Sequence, residues 1–262
     1  MLLLKRTLAA LFVGAVFFCS FLFGGFLASL SKDSTTTKPT LDDRKFETIF
    51  SSTTERANNP QHSSEILIVL DAGHGGNDPG KVGVNGTLEK DINLCMVLKL
   101  RTLLEQEGYL VSLTRDSDDN LSTSSDSTKS CKISDMRNRV SMIEDCHPTF
   151  VISIHQNSYP DENVSGPQVF YYTDSTCGMK LASCLQDSLN TNTSTSGKRE
   201  IAANDSYYIL KKTPTPTVIV ECGFLSNPYE ESLLCDSNYQ DELCHAIILG
   251  IKNYLNPSIP EP

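Results

Sequence analysis

Four residues whose side chains can bind a metal ion or transfer a proton stand in four separate short motifs of this chain. They are His74 in DAGHGG, Glu89 in LEKD, His155 in SIHQN and Glu221 in VECGFLSN. Two imidazoles and one carboxylate can bind zinc and leave a coordination position open for water. A second carboxylate at a strand end can take a proton from that water. These residue types predict a mononuclear zinc hydrolase, provided that the four side chains meet.

The elements around the motifs predict that the four side chains do meet. Three almost continuous apolar runs predict strands that are buried on both faces: Glu65–Leu70, Thr149–Ile154 and Thr217–Val220. His74, His155 and Glu221 each follow the end of one of these strands. Glu89 lies in the first turn of the helix that follows the first strand. Ligands bind at the carboxyl edge of an open α/β sheet, so this edge is the predicted site.

The remaining elements predict a three-layer α/β/α domain on a largely parallel sheet. Further strands are predicted at Tyr109–Thr114, Gln168–Tyr172 and Tyr207–Leu210. Thr87 is predicted to cap the first helix and Gly108 to end it, and Asp116–Lys132 is predicted to be a polar surface loop. A second helix is predicted from apolar residues at helical spacing, which are Ile133, Met136, Val140 and Ile143. Later helices are predicted around Leu185 and before Pro257.

Each site signal also has an ordinary structural explanation. A histidine at a strand end is usually a surface or core residue, and a glutamate in a first helical turn usually serves the helix dipole. The glycine-rich turn lacks the Lys-Ser/Thr pair of a phosphate-binding P-loop. The joint order of the four motifs is what favours a metal site. Asp71 and Asn157 are predicted either to orient the ligands or only to form local hydrogen bonds. The other histidines, His62, His147 and His245, are assigned to structure or solvent.

The N-terminal residues 1–30 are predicted to be a signal anchor or a signal peptide. Lys5 and Arg6 precede an uncharged apolar run from Thr7 to Leu30, which is long enough to cross a bilayer core of about 30 Å. The weak cleavage site near Ala28 favours an uncleaved anchor over a cleaved signal. The positive charges before the run place the rest of the chain outside the cytoplasm. Residues 31–64 are predicted to be a polar tether, residues 65–256 the catalytic domain, and residues 257–262 a tail.

Charge and cysteine content argue against several other kinds of ligand or site. The 262-residue chain has a formal net charge of −10, and no basic cluster occurs outside its N-terminal tip. This argues against nucleic acid or anionic lipid as the ligand of the exported part. The chain has nine cysteines but no CxxC pair, so a structural zinc knuckle is not expected. Disulfides and buried free thiols are both open, and free core thiols are favoured because Cys95, Cys184 and Cys244 lie in amphipathic helix patterns.

With these residues in place, the chain resembles the zinc-dependent N-acetylmuramoyl-L-alanine amidases of the Amidase_3 type, which are bacterial cell-wall hydrolases. The resemblance covers about Ile66 to Leu255 and rests on DAGHGGNDPG, EKD, SIHQN and VECGFLSN in that order. It implies a mixed six-stranded sheet flanked by helices. It also implies one zinc ion held by His74, Glu89 and His155, with Glu221 as the catalytic residue.

The implied reaction is cleavage of the peptidoglycan amide bond between the lactyl group of N-acetylmuramic acid and L-alanine. The segments Lys90–Asn93, Ser165–Tyr171 and Asn238–Gln240 resemble the germination-specific, spore-cortex branch. That branch implies an extracytoplasmic protein, membrane-anchored or secreted, on the forespore or cortex side of a spore-forming bacterium. Peptidoglycan is the implied substrate, and the N-terminal apolar run adds the membrane as a partner. Some relatives insert a helix that plugs the site, but the segment Ser158–Pro167 is too short for one. We therefore predict a site open to substrate that is restrained by timing of expression, location or a regulatory protein partner. The alternatives are another zinc peptidase or deacetylase, or a catalytically silent wall-binding protein.

Overall fold

Strands and helices alternate along most of the residues that the computed structural model describes, which are 66–123, 128–195 and 197–257. The strands are β1 Leu67–Ala72, β2 Leu110–Leu113, β3 Phe150–Asn157, β4 Gln168–Tyr172, β5 Ala202–Asn204 and β6 Thr217–Phe224. The helices are α1 Glu89–Gln106, α2 Thr128–Cys146, α3 Thr176–Asn192, α4 Tyr208–Lys212, α5 Pro228–Leu234 and α6 Ser237–Leu255.

The strands form one six-stranded sheet in the order β2-β1-β3-β6-β4-β5. All neighbouring pairs are parallel except β4 with β6, which is antiparallel. The expected mixed, largely parallel six-stranded sheet is therefore confirmed. The central strands β1, β3 and β6 run in the same direction, so their carboxyl ends meet at one edge. The β3–β6 register places His155 directly beside Glu221.

Each face of the sheet is covered by its own layer of helices. On one face, Ile68, Ile152 and Val220 belong to a large apolar cluster with buried residues of α1, α3 and α6. On the other face, Val69 and Val151 belong to a smaller cluster with buried residues of α2 and α4. Successive side chains of a strand point to opposite faces, so a strand that is covered on both faces must be apolar at nearly every position. This explains the continuous apolar runs in the sequence.

Two local predictions are wrong, one for a strand and one for a helix cap. Tyr207–Leu210 was expected to be a strand, but Tyr208–Lys212 is the helix α4. The side chain of Asn204 accepts hydrogen bonds from the backbone amides of Ser206 and Tyr207, which turns the chain before α4. Thr87 does not cap α1, because the N-cap is Leu88, which forms no side-chain cap bond.

The prediction for α2 is correct in type but wrong in its first turns and in one face. The helix begins at Thr128, so the last part of the predicted loop Asp116–Lys132 is helical. Ile133 is 43% exposed, whereas Arg139 is only 1% exposed. The guanidinium of Arg139 is buried because it donates to the carboxylates of Asp71 and Asp135. Carboxylate partners make the burial of this charge possible, and apolar periodicity does not record them.

The predicted anchor 1–30, the tether 31–64 and residues 258–262 of the tail lie outside the described residues. Within the described ranges, no helix is long and apolar enough to cross a membrane. None of the eight cysteines in these ranges forms a disulfide. Cys222 and Cys244 are buried, and the raised pKa of each thiol results mainly from that burial. The expectation of free core thiols is confirmed for Cys244, whereas Cys95 and Cys184 are only half-buried.

Candidate active site

The turn after β1 carries His74 in a backbone conformation that few residues adopt. His74 has φ 63°, in the left-handed region. Its carbonyl oxygen accepts a 2.6 Å hydrogen bond from Arg139, which helps to hold the turn. A Cβ atom on the preceding Gly73 would lie 2.2 Å from Cε1 of His155. Glycine at this position therefore lets the His155 ring lie against the turn.

Glu89 lies in the first turn of α1, and its carboxylate is held from several sides. Its Oε2 accepts a 2.7 Å hydrogen bond from the backbone amide of Lys81. Its Oε1 accepts a 3.1 Å hydrogen bond from the backbone amide of Gln156 and a longer one from Asn93. Glu89 is buried, and these donors fix both of its oxygens.

The three predicted ligand residues come together at the carboxyl edge of the sheet. His74 Nε2 lies 3.2 Å from Glu89 Oε2, and His155 Nδ1 lies 2.9 Å from Glu89 Oε1. The two imidazole rings meet edge to face, with their centroids 5.0 Å apart. One ligand atom from each residue lies within 4.8 Å of the other two. Two nitrogens and one carboxylate oxygen at this spacing can hold a metal ion.

A second carboxylate orients His74 from behind. Asp78 Oδ2 lies 3.0 Å from His74 Nδ1, so the other ring nitrogen remains directed at Glu89. Burial lowers the pKa of His74, but the hydrogen bonds to Asp78 and Glu89 outweigh burial and raise it to about 9. Burial raises the pKa of Asp78, but His74 and Lys132 hold it well below its usual range. Such carboxylate–histidine pairs fix the ring orientation of metal ligands in other proteins.

Glu221 stands beside this cluster without a hydrogen bond to one of its oxygens. The side chain is buried at 8% exposure, and its buried Oε2 has no partner among the described residues. Burial raises the pKa of Glu221 to about 7; the charges of His155 and His74 oppose this rise, and that of Glu89 adds to it. A carboxyl group with a pKa near neutrality can both accept and release a proton. The Oε2 of Glu221 has no structural partner in the described ranges, unlike Glu89, both of whose oxygens accept hydrogen bonds.

The two residues predicted to orient the ligands differ in what they contact. Asp71 accepts hydrogen bonds from Thr114, Ser153 and Arg139 at 2.6–2.7 Å, so it ties three elements together beneath the His74 turn. The side chain of Asn157 accepts a hydrogen bond from the amide of Ser158. The Asn157 side chain therefore forms a local hydrogen bond, whereas Asp71 links the strand before the His74 turn to its neighbours.

Two arginines that were not predicted from the sequence stabilise the His74 turn. Arg139 donates to the carbonyls of Ala72 and His74. Arg115 donates to the carbonyls of Ala72 and Gly73 and to that of Lys90 in α1. A basic residue directly after the predicted second strand was a usable signal for Arg115. The role of Arg139 depends on contacts with residues far away in the sequence.

The other described histidines lie away from the cluster. The rings of His147 and His245 are exposed, and each Nδ1 lies within hydrogen-bond distance of a backbone carbonyl. His62 lies outside the described residues. The segment 158–167 between β3 and β4 contains no helix.

The fold and the site together define an α/β protein with a candidate metal site of two histidines and one glutamate, next to a buried carboxylate at the same sheet edge. The model of the family described as Amidase_3, N-acetylmuramoyl-L-alanine amidase, matches residues 68–253. The chain belongs to this family, as its motifs predicted, and is therefore an enzyme of the N-acetylmuramoyl-L-alanine amidase type.

Two relatives illustrate the similarity. The germination-specific N-acetylmuramoyl-L-alanine amidase of Bacillus subtilis is 38% identical over 191 residues, which cover 72% of this chain and 79% of the relative. The CwlD amidase of Clostridioides difficile, solved in complex with the GerS lipoprotein, is 39% identical with a TM-score of 0.70. That alignment covers 72% of this chain and 98% of the solved one.

A more distant solved relative shares the same architecture. The catalytic domain of CwlV, an N-acetylmuramoyl-L-alanine amidase from Bacillus (Paenibacillus) polymyxa, is 30% identical with a TM-score of 0.64. The match covers 72% of this chain and 98% of that domain. The similarity therefore extends over nearly all of the described residues.

Proposed function

We propose that this protein cleaves the amide bond between the lactyl group of N-acetylmuramic acid and L-alanine in peptidoglycan. We further propose that His74, Glu89 and His155 hold one zinc ion and that Glu221 is the catalytic residue. The observation that carries the proposal is the buried, partner-free oxygen of Glu221 beside the three-residue cluster. Membership of the amidase family indicates which bond is cleaved.

The donor atoms fit zinc in type, and one pair of them has the separation of a zinc site. Zinc favours histidine nitrogen and carboxylate oxygen, and in hydrolases it commonly has three protein ligands. Bonds of roughly 2.0–2.1 Å in a tetrahedral site separate two ligand atoms by about 3.3 Å. The 3.2 Å between His74 Nε2 and Glu89 Oε2 is close to this separation.

The residues of the chain then have distinct tasks. A zinc ion, when bound, supplies a Lewis acid that lowers the pKa of water and polarises a carbonyl group. Glu221 accepts a proton from the attacking water as the water oxygen adds to the lactyl carbonyl carbon. Glu221 next delivers that proton to the amide nitrogen as the carbon–nitrogen bond breaks. The products are a lactyl carboxylate and a stem peptide with a free L-alanine amino group.

The biological setting is proposed from the relatives. The Bacillus subtilis relative is germination-specific, so we infer that this protein acts on spore-cortex peptidoglycan outside the cytoplasm. The Clostridioides difficile relative was solved with a lipoprotein, so a regulatory protein partner of similar type is proposed here. Residues 1–30 are proposed to anchor or export a catalytic domain at 65–256 through the tether at 31–64.

The test combines metal content with product analysis. The full-length protein and Glu221→Gln are purified, their zinc content is measured, and new L-alanine amino termini are counted after incubation with peptidoglycan. We expect about one zinc per chain in both proteins and at least a hundredfold slower release by Glu221→Gln, in line with the size of general acid–base effects.

The other outcomes separate the alternatives. Equal turnover by Glu221→Gln would refute the assigned role of this residue. Release of other amino termini or of acetate would indicate a different zinc peptidase or a deacetylase. Binding to peptidoglycan without any product would indicate a catalytically silent wall-binding protein.

A further inference from the structure

Glu231 is a buried carboxylate in α5 that binds a loop far away in the sequence. Its side chain is 1% exposed. Both of its oxygens accept from the Asn85 backbone amide, at 3.0 and 2.8 Å. Oε2 also accepts from Asn85 Nδ2 at 3.0 Å, and Oε1 accepts from the Thr87 amide at 3.2 Å. These bonds join residues that are 144 to 146 positions apart.

The loop that Glu231 holds leads directly to Glu89. We call residues 81–87 the 81–87 loop. The loop is closed on itself by a 2.8 Å hydrogen bond from the Gly83 amide to the Thr87 carbonyl. At its start, the Lys81 amide donates to Glu89 Oε2 at 2.7 Å, and the Lys81 carbonyl accepts from the Glu89 amide at 3.0 Å. A displacement of the loop would therefore reach the carboxylate of Glu89.

We propose that Glu231 is a positioning residue that orients Glu89 for metal binding by holding the 81–87 loop. Glu89 Oε2, which receives the Lys81 amide, is also the oxygen that faces His74 Nε2 at 3.2 Å. The amide proton directs this oxygen and leaves its remaining lone pair for a metal. This inference rests on the proposed zinc site, and it assigns a role to a residue outside the ligand set and outside the proton-transfer step.

The packing of the loop against Glu231 leaves no spare room. A Cβ atom on Gly83 would lie 2.3 Å from Glu231 Oε1. The φ angle of Gly83 lies outside the left-handed region, so its backbone does not need glycine. The absence of a side chain is needed only for the close approach of the carboxylate. Gly83→Ala therefore disturbs the same contact from the loop side.

Glu231→Gln breaks the contact without a change in volume. Each oxygen of Glu231 faces N–H donors from Asn85, and Oε1 also faces that of Thr87. The NH₂ group of glutamine would meet an N–H donor in either orientation of the amide, since it can only donate. The variant thus weakens the attachment of the loop to α5, because only one of the two oxygens remains to accept from it.

The neighbouring Glu230 provides a matched control. It is 2% exposed, and its oxygens accept from the backbone amides of Gly166 and Phe224. It is the same residue type in the same helix, and its bonds lead to the segment before β4, to Thr195 and to the end of β6 rather than to the 81–87 loop. Glu230→Gln should lower the melting temperature as Glu231→Gln does but leave zinc affinity unchanged.

The experiment measures zinc affinity of the full-length proteins by competition with a chelator, together with their melting temperatures without zinc. We expect Glu231→Gln and Gly83→Ala to bind zinc about ten to a hundred times more weakly than wild type, the range for residues that orient metal ligands. Glu230→Gln should bind zinc with the affinity of the wild type. Addition of Gly83→Ala to Glu231→Ala should cost less affinity than it costs alone, because the clashing carboxylate is gone.

Two results would overturn the inference and remain distinguishable from each other. Wild-type affinity in Glu231→Gln and Gly83→Ala, or equal losses in Glu230→Gln, would leave Glu231 with a structural role only, and the proposed function would stand. No zinc binding by the wild-type protein would remove both the inference and the zinc site on which it rests.

Discussion

Replacement of Asp71 by asparagine should destabilise the protein, because it removes the buried negative charge that pairs with Arg139. Asp71 is 1% exposed and lies 2.7 Å from Arg139 Nη1. Burial raises the pKa of Asp71, but the charge of Arg139 and the hydrogen bonds from Ser153 and Thr114 lower it from 3.8 to about 2. A shift of this size corresponds to about 2 kcal/mol of stability, and removal of one partner of a buried pair commonly costs about 3–5 kcal/mol. We therefore expect Asp71→Asn to lose about 2–4 kcal/mol at neutral pH.

The pH dependence identifies the charge as the cause. Because the folded pKa of Asp71 lies below 3.8, its contribution is fully present above that pH and disappears as the pH falls through about 2. By pH 3, about 1 kcal/mol of the contribution should be lost from the wild-type protein. The asparagine side chain of the variant does not titrate, so the stability difference between wild type and Asp71→Asn should shrink on acidification.

Urea denaturation of both proteins at pH 6 and pH 3 measures this difference. At pH 6, the expected loss corresponds to a fall in melting temperature of roughly 4–16 °C for a domain of this size. Asp118→Asn is the control, because this carboxylate pairs with Lys90 at the surface and should contribute less than about 1 kcal/mol. A stability difference of the same size at both pH values would refute the electrostatic explanation.

Two further predictions concern the metal site. Gly73→Ala should displace the His155 ring, since the new Cβ would lie 2.2 Å from its Cε1; zinc affinity should fall at least tenfold, and wild-type affinity measured by chelator competition would contradict this. Removal of zinc by a chelator should lower the melting temperature of the wild-type protein, because a ligand that binds only the folded state stabilises it. The effect should be absent in a His74→Ala, His155→Ala double variant; an equal shift there would mean that the metal binds elsewhere.

The core strands and the order of the site motifs could be predicted from the sequence because both depend on local patterns. A strand that is covered on both faces must be apolar throughout, so the positions of β1, β3 and β6 were visible. Since parallel strands share a carboxyl edge, the convergence of His74, His155 and Glu221 followed from their predicted places at the ends of those strands. In the structure, β3 and β6 extend further, so His155 and Glu221 lie inside these strands near their carboxyl ends.

The failures arise where side-chain contacts, near or distant in sequence, decide the outcome, because apolar periodicity does not record them. The short segment at Tyr207–Leu210 has residues with strand propensity, yet Asn204 and the α2 face make it a helix. The sequence pattern predicts Arg139 to be a polar surface residue, but in the structure it is buried with Asp71 2.7 Å away. Burial of a charge depends on its compensating partner.

The sequence by itself determined which residues could do chemistry, at which sheet edge they would meet and which family the chain belongs to. These features rest on residue type, alternation and motif order, which are properties of contiguous segments. Only the tertiary structure decided how the site is held. Three features depend on contacts between distant segments. They are the hydrogen bonds from the 81–87 loop to Glu231, the two arginines that bind the His74 turn, and the unpaired oxygen of Glu221. Such contacts exist only after the chain has folded, because each links side chains that no local pattern brings together.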